Sequence, residues 1–381
     1  MKWMRRALCT LLCGCVLFSQ AAALPEMGAL KSKAAALYAA DGTELYAYHA
    51  DEPLQPASVT KIMTMLLIME AVDSGRASLD DMVTGSAHAA SMGGTQIWLK
   101  EGEQLTLDEM LKAIAVGSAN DCAVAVAEHL AGSEAAFVEQ MNARAKELGC
   151  TGTTFVNANG LDTDGQKTLT TAHDLALISV ELLRHPKIID YTSIWMDTIR
   201  NGAFGLANTN KMLRKYDGMI GLKTGYISEA GFCISAAAER DGLTLIAVVM
   251  AAPDKDARTA DASQLLNYGF ANFAAYTPDV SAACGDLPVV LGKQPTVGVA
   301  CDDPGTLTAQ KEQAAGMTVA FDRPDSIEAP VTKGEQIGTA RVLDADGKTV
   351  RELALRAAAD VERLGFLDLF GALCRAAGGG A

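Results

Sequence analysis

The chain has 381 residues, 49% of them hydrophobic, which is enough for one large domain and a smaller one, each with its own core. The formal net charge of −14 becomes −17 when an apolar leader that carries Lys2, Arg5 and Arg6 is set aside. So acidic a chain argues against nucleic acid as a partner and against strong electrostatic docking on anionic lipid.

The first predicted element is a secretory signal over residues 1–23. Its positive start is followed by the apolar run "ALCTLLCGCVLF", and the three alanines at 21–23 fit a cleavage site of small residues. The apolar run is too short for a comfortable transmembrane helix. Lipoprotein processing at Cys15, within "LCGC", is the alternative. Either route predicts an exported protein.

The next elements predict a hairpin and a buried helix. Residues 34–49 alternate around Asp41-Gly42, which is a hairpin signal. A helix is then predicted from Ser58 to about Val72, and its apolar residues cover nearly the whole circumference. Such a helix belongs at the centre of a domain.

A helical middle and a strand-rich end follow. A capping box beginning at Thr106 leads into a mainly helical region that runs to about residue 185. Strands return after 219 as two apolar runs around Asp241-Gly242, and residues 260–276 read as a last helix. The order predicts an α+β domain over 24–276, in which an antiparallel sheet is flanked by helices with a helical subdomain.

Two further units are predicted after this domain. Residues 277–356 form short strands, a hairpin around Asp346-Gly347 and no convincing helix, so a small all-β, sandwich-like domain is expected. Residues 357–381 form an amphipathic helix that is too short to span a bilayer, with one apolar face made of Leu364, Leu367, Phe370 and Leu373. This helix either lies on a membrane surface as an anchor or docks on its own protein.

Cysteine and histidine residues predict no metal or redox site and no histidine-based triad. Six cysteines lie outside the leader without any C-x-x-C spacing. A disulfide between Cys284 and Cys301 is left open, and Cys122, Cys150, Cys233 and Cys374 are expected to be unpaired. The five histidines, interpreted as surface or core residues, are His49, His88, His129, His173 and His185.

A candidate nucleophile stands in "PASVTKIMT", where Ser58 and Lys61 lie one helical turn apart on one face. Taken alone, the pair is better explained by a helix-capping serine and a solvated lysine. A serine attacks well only when a base accepts its proton. Lysine can do so if its pKa falls from about 10.4 to about 7–8, which burial and a second cation both promote.

Two more motifs accompany this pair. Ser118-Ala119-Asn120 lies at a break in the helical region, and Lys223-Thr224-Gly225 lies within "GLKTGY" at the start of the strand-rich end. Each alone is an ordinary turn or strand edge. In this order, the three motifs resemble those of penicillin-binding proteins and class A β-lactamases.

The similarity extends to "TTFVNANGLD", "LTTAHDLA" and "LLNYGF". Over about residues 30–275 the chain resembles the low-molecular-mass D-alanyl-D-alanine carboxypeptidases. The resemblance implies a DD-peptidase/β-lactamase-like fold that removes the terminal D-alanine of peptidoglycan pentapeptides through an acyl-enzyme on Ser58. It also implies covalent inhibition by β-lactam antibiotics, no cofactor or metal, and a place in the cell envelope, peripheral on the outer face of the cytoplasmic membrane.

The motifs assign roles to individual residues. Lys61 is the acylation base, and Ser118 relays a proton to the leaving amine. Asn120 hydrogen-bonds the substrate amide. Lys223 is the second cation, and Thr224 and Gly225 begin the strand that holds the peptide in β-fashion.

Further roles follow from backbone amides and from the resemblance. An oxyanion hole is expected from the N–H groups of Ser58 and Tyr226. The resemblance places Arg258 before the final helix, where its guanidinium would grip the terminal carboxylate. Ala119 replaces the glycine usual in the second motif, and the tail is less cationic than a typical anchor. The methyl group of Ala119 is expected to be tolerated.

Three alternatives remain at this stage. A class A β-lactamase needs a deacylating glutamate in an E-x-x-L-N stretch, and residues 121–222 contain no such stretch. A sensor that binds penicillin or muropeptides without turnover has no use for a paired lysine and serine. Endopeptidase or transpeptidase action on the same peptides stays open, because acyl transfer to water or to an amine differs only in the acceptor.

Overall fold

The computed structural model describes residues 24–162 and 165–378, so the predicted secretory signal lies outside the described residues. The strands are β1 (Ala34–Ala39), β2 (Glu44–Tyr48), β3 (Met82–Thr84), β4 (Gln104–Thr106), β5 (Met196–Ile199), β6 (Phe204–Ala207), β7 (Met219–Ile227), β8 (Gly231–Arg240), β9 (Leu243–Ala252), β10 (Phe273–Tyr276), β11 (Gly285–Val290), β12 (Thr296–Cys301), β13 (Leu307–Gln310), β14 (Thr318–Asp322), β15 (Ile327–Glu328), β16 (Gln336–Leu343) and β17 (Thr349–Ala357). The helices are α1 (Lys61–Asp73), α2 (Ala87–Ala90), α3 (Leu107–Lys112), α4 (Asn120–Ala131), α5 (Glu134–Glu147), α6 (Ala172–Leu183), α7 (Ile189–Thr192), α8 (Lys255–Asn272), α9 (Lys311–Gly316) and α10 (Phe366–Gly378).

The central layer is an antiparallel sheet of five strands in the order β2-β1-β9-β8-β7. The two predicted hairpins are confirmed: Gly42 and Gly242 lie in their turns with φ of +92° and +75°, a backbone conformation that glycine adopts without strain. The first and last strands of the domain therefore meet in one sheet, and β7 lies at its edge.

Both faces of the sheet are covered, which explains why β1 is apolar throughout. Its residues alternate between two cores, Ala34, Ala36 and Tyr38 facing one and Ala35, Leu37 and Ala39 the other. α8 packs closely on the second face, where a Cβ on Gly269 would lie only 2.5 Å from Leu245 Cδ1. α1 and α6 contact the first face or lie next to it, within the larger core.

The central helix begins later than the sequence predicted. Ala57–Thr60 forms a 3₁₀ turn, in which the Val59 N–H donates to the Pro56 carbonyl at 3.1 Å, and α1 starts only at Lys61. Such i→i+3 bonds tighten the entry to a helix. The prediction of a buried helix is confirmed, and Ser58 is placed in a turn rather than in the helix. The capping box from Thr106 to Glu109 is present at the start of α3.

The carboxy-terminal region has a separate core and a six-stranded sheet in the order β14-β16-β17-β12-β11-β15. The predicted hairpin is formed by β16 and β17. The expectation of no helix here is wrong, because "KEQAAG" forms α9, which is too short to give a periodic signal. The helix predicted to reach residue 276 ends at Asn272, because β10 pairs with β13, a partner that only the tertiary structure supplies.

The final helix begins at Phe366, later than predicted, because Ala357 ends β17 and Val361 forms a β-bridge with Val331, so Leu364 of the predicted apolar face lies before the helix. The apolar face of α10 is exposed. Phe366, Leu367 and Phe370 are 79%, 80% and 57% exposed, respectively. Among the described residues, no helix combines the length and hydropathy that crossing a bilayer requires.

All six cysteines outside the leader are free thiols. The pairing of Cys284 with Cys301, which the sequence left open, is therefore absent. Cys122, Cys150 and Cys233 are buried and behave as small apolar residues of the core.

Candidate active site

Ser58 lies where the first 3₁₀ turn meets the edge strand β7. A Cβ on Gly225 would lie 2.5 Å from the Pro56 carbonyl oxygen and 3.0 Å from the Ser58 nitrogen. Only glycine allows the strand this close to the turn. The third motif is thus packed directly against the first.

Lys61 is fully buried and its Nζ has three partners: Ser58 Oγ at 3.1 Å, Asn120 Oδ1 at 2.6 Å and the Asn159 carbonyl at 2.8 Å. The amide of Asn120 is oriented by its Nδ2, which donates to the Gly93 carbonyl at 2.8 Å. The two amide oxygens can only accept hydrogen bonds. A neutral Lys61 would use its two N–H groups for them and turn its lone pair towards Ser58.

The electrostatics of the site favour that neutral form. Burial, together with the neighbouring charge of Lys223, lowers the pKa of Lys61 well below its ordinary value. Burial, together with the charge of Arg258, lowers the pKa of Lys223 to about 7. Burial and the neighbouring cation thus both favour an unprotonated Lys61.

The second motif lies at a break between helices, as predicted. A π-helical turn, Ala113–Gly117, ends at Ser118, whose φ is +63°, and α4 begins at Asn120. Ser118 is 4% exposed and lines the same cleft as Ser58. Ala119 has a φ of −60°, which any L-residue adopts, so this position needs no glycine.

Asp121 is a positioning residue that sequence reasoning missed. Its buried carboxylate accepts hydrogen bonds from the backbone N–H groups of Ile97 and Leu99 at 3.0 and 2.9 Å. These bonds fix the loop that carries Thr95, whose carbonyl accepts from the Asn120 N–H at 2.8 Å. Asp121 directly follows the second motif in the sequence, but no sequence pattern indicates which groups it contacts.

The loop at 157–161 also supplies a group that the sequence did not indicate, the carbonyl of Asn159. Gly160 has a φ of +86°, and a Cβ there would lie 2.0 Å from the Ala57 carbonyl oxygen. The loop therefore fits against the Ser58 turn only with glycine at this position. "NANG" predicts a turn, but a main-chain acceptor leaves no signature in side-chain patterns.

β7 carries the third motif along one wall. Lys223 is buried and donates to the Thr224 carbonyl at 2.9 Å, and Thr224 Oγ1 donates to Thr209 Oγ1 at 2.8 Å. Tyr226 is 54% exposed and stacks on Phe232, with 4.2 Å between the ring centroids.

Arg258 lies in the first turn of α8 and is 8% exposed. Its Nε has no hydrogen-bond partner among the described residues, although its side chain lines the cleft. A buried, unpartnered guanidinium donor is costly unless a ligand accepts from it.

The cleft has two arms that meet at Ser58, Thr95 and Tyr226. The basic arm, of about 530 Å³, is also lined by Ser118, Thr209, Lys211, Lys215, Thr224, Gly225, Phe232, Lys255, Asp256, Arg258 and Thr259. The acidic arm, of about 470 Å³, is also lined by Gly94, Asn120, Leu161, Asp162, Ile227, Ser228 and Glu229. The structure thus brings all predicted site residues except buried Lys61 and Lys223 to the cleft wall, and these two lie directly behind it.

The described residues contain no group of three or more His, Cys, Asp or Glu side chains that could hold a metal ion. Four histidines make contacts with acids away from the cleft: His88 with Glu134, His129 with Asp81, His173 with Glu44 and His185 with Asp73.

The cleft and the fold together define a class of protein. Residues 20–254 match the family described as D-alanyl-D-alanine carboxypeptidase, and residues 279–363 match the penicillin-binding protein 5 C-terminal domain. The chain therefore belongs to the D-alanyl-D-alanine carboxypeptidase family and is a serine-type DD-carboxypeptidase. The resemblance read from the three motifs is confirmed.

Individual relatives agree with this assignment. The chain is 39% identical to the D-alanyl-D-alanine carboxypeptidase DacF of Bacillus subtilis, with 96% of each chain covered. Penicillin-binding protein 5 of Haemophilus influenzae superposes with a TM-score of 0.71 at 28% identity, over 90% of this chain and all of that one. Penicillin-binding protein D2 of Listeria monocytogenes, in its ampicillin-bound form, gives a TM-score of 0.59 at 35% identity, over 65% of this chain and all of that one.

Proposed function

We propose that the enzyme cleaves the terminal D-Ala-D-Ala bond of peptidoglycan stem peptides through an ester on Ser58. The hydrogen bond between Lys61 Nζ and Ser58 Oγ, at 3.1 Å, carries this proposal. Lys61 accepts the hydroxyl proton as Ser58 attacks the carbonyl carbon, and Ser118 passes a proton to the departing amine. Water then hydrolyses the ester and returns Ser58 to its free form.

The walls of the cleft hold the substrate. The strand at Thr224, Gly225 and Tyr226 pairs with the extended peptide. The side-chain amide of Asn120 forms a hydrogen bond with the backbone of the bound peptide. The N–H groups of Ser58 and Tyr226 bind the oxyanion. Burial and the charge of Lys223 keep the pKa of Lys61 low, and Arg258 binds the terminal carboxylate.

Release of D-alanine from a peptide ending in D-Ala-D-Ala tests this function. We expect steady release, and we expect a fluorescent penicillin to form an ester that persists, as the ampicillin-bound form of the Listeria protein suggests for a related cleft. Fast turnover of penicillin without D-alanine release would favour the β-lactamase alternative. A stable label without any D-alanine release would favour a sensor.

Replacing the carboxylate-binding arginine should weaken substrate binding. In Arg258→Gln, loss of a charge-assisted hydrogen bond is expected to raise KM by roughly 10- to 100-fold, with a smaller change in kcat. The measurement compares substrates ending in D-Ala-D-Ala and in its C-terminal amide. The native enzyme should prefer the free acid, and the variant should not distinguish them. A preference retained in the variant would place the carboxylate elsewhere.

We propose further that the enzyme works outside the cytoplasm, at the membrane surface, with α10 as a peripheral anchor. The exposure of Phe366, Leu367 and Phe370 leaves an apolar face without cover from the rest of the described chain. An amphipathic helix of this kind binds the boundary between headgroups and acyl chains. Docking of α10 on the enzyme itself would instead bury these side chains.

Sedimentation with neutral phosphatidylcholine vesicles tests the anchor. The full chain should bind, and the double variant Leu367→Glu/Phe370→Glu should stay in solution, because two charges enter the apolar face. D-alanine release from a small peptide should be equal in both. Vesicle binding that survives both changes would refute the anchor.

A further inference from the structure

The two arms of the cleft differ in charge. Lys211, Lys215, Lys255 and Arg258 line the basic arm, and Asp256 is its one carboxylate. The acidic arm is lined by Asp162 and Glu229 and by no lysine or arginine among the described residues. In a chain with an excess of acidic residues, a wall with four cations is a local feature rather than a consequence of composition.

These cations come from two separate segments. Lys211 and Lys215 lie on and just after the 3₁₀ turn Lys211–Arg214, which follows β6. Lys255 is the first residue of α8, and Arg258 lies one turn further. The start of α8 also carries Asp254, its N-cap, and Asp256, so Lys255 and Arg258 lie on a helix end whose dipole already has two carboxylates beside it.

The lysines of the basic arm have no carboxylate partner of their own. Within the described ranges, no carboxylate oxygen lies within 4.0 Å of the Nζ of Lys211, Lys215 or Lys255. Arg258 lines the same arm, and its buried Nε also lacks a hydrogen-bond partner among the described residues. The terminal carboxylate of a substrate can pair with Arg258. The three exposed positive charges of the lysines then remain without a partner in the described chain.

We infer that the basic arm selects a leaving residue that carries a second negative charge, on its side chain, in addition to the terminal carboxylate. The inference rests on the proposed function, because it takes Arg258 to mark the side of the cleft where the leaving residue lies. In addition to peptides that end in D-Ala-D-Ala, the enzyme would then cleave peptides that end in D-alanine followed by an acidic D-amino acid.

The chemistry of the reaction is unchanged. The amide bond between D-alanine and the leaving residue breaks, its nitrogen gains a proton, and water supplies the hydroxyl that ends on the D-alanyl carboxylate. The second carboxylate remains on the released amino acid. Lys211, Lys215 and Lys255 contribute attraction across the arm without touching the reacting atoms.

A pair of substrates that differ in one charge tests the inference. Peptides ending in D-Ala-D-Glu and D-Ala-D-Gln have the same shape, and a third ending in D-Ala-D-Ala reports the proposed function. At low ionic strength we expect kcat/KM for D-Glu to exceed that for D-Gln by about five-fold or more, the sum of several exposed charge pairs. The ratio should fall towards one at about 0.5 M salt, because salt screens exposed charges.

Lysine variants identify the source of the preference. The triple variant Lys211→Gln/Lys215→Gln/Lys255→Gln should bring the D-Glu to D-Gln ratio to about one, whereas the same three positions changed to Arg should keep it, since the charge is retained. Lys311→Gln, on α9, is a matched surface control that should also keep it.

Three results overturn the inference. A ratio of one in the native enzyme, with D-alanine still released from D-Ala-D-Ala, would refute the acidic preference alone and leave the proposed function standing. A preference that persists in the triple glutamine variant would show that the lysines do not provide it. Absence of cleavage of all three peptides would refute the proposed function and this inference together.

Discussion

In Ser58→Ala, D-alanine release should fall by about 10⁴-fold or more, because the ester intermediate cannot form and only binding and oxyanion contacts remain. Covalent labelling by a fluorescent penicillin should disappear in the same variant. Both losses have one cause, the missing Oγ, and both are measured on the same purified protein. The change removes a single atom from a half-buried side chain, so the thermal midpoint should move little.

Ser193→Ala is the matched control for this variant. Ser193 is an exposed serine whose hydroxyl donates to the Ile189 carbonyl at 2.6 Å, away from the cleft. Release and labelling should match the native enzyme. A penicillin ester found on the Ser58→Ala protein would identify a different nucleophile and would contradict the assignment.

The sequence predicted the fold where local patterns and the final structure agree. The hairpins around Asp41-Gly42 and Asp241-Gly242 carry their turn chemistry in adjacent residues, and the buried helix shows apolar residues around its whole circumference. Capping at Thr106 is equally local. Such features need no knowledge of distant segments, and they were predicted correctly.

Most of the errors arose where a distant segment decides the local structure. β10 is a strand because β13 lies beside it, although its sequence continues a helical pattern. Ser58 lies in a 3₁₀ turn that is packed between β7 and the loop at Gly160, both far away in sequence. α9 was missed because six residues give too little periodicity.

The site was predicted through its side chains and missed where the backbone contributes. Serine and lysine at i and i+3 indicate a chemistry that can be named from residue types. Every residue has a main-chain carbonyl, so the residue type at position 159 does not indicate that its carbonyl has a role. Asp121 also acts on backbone groups, the N–H donors of Ile97 and Leu99.

Lys61→Met should reduce the rate of Ser58 acylation by about 10³-fold, within the range that general bases contribute. Methionine fills a similar volume, but it has no lone pair basic enough to accept the serine proton. The change also leaves Asn120 Oδ1 and the Asn159 carbonyl without their Nζ donor, so some loss of stability should accompany it. The measurement is the rate of penicillin labelling, with the thermal midpoint recorded for each protein.

Lys61→Arg separates the loss of a base from the loss of a donor. Its guanidinium still donates hydrogen bonds but stays protonated at every accessible pH, so acylation should remain slow throughout. In the native enzyme, acylation should slow as the pH falls through the depressed pKa of Lys61, because protonation occupies the lone pair that faces Ser58. An arginine variant that acylates at the native rate would mean that position 61 supplies positive charge alone, and that another group takes the serine proton.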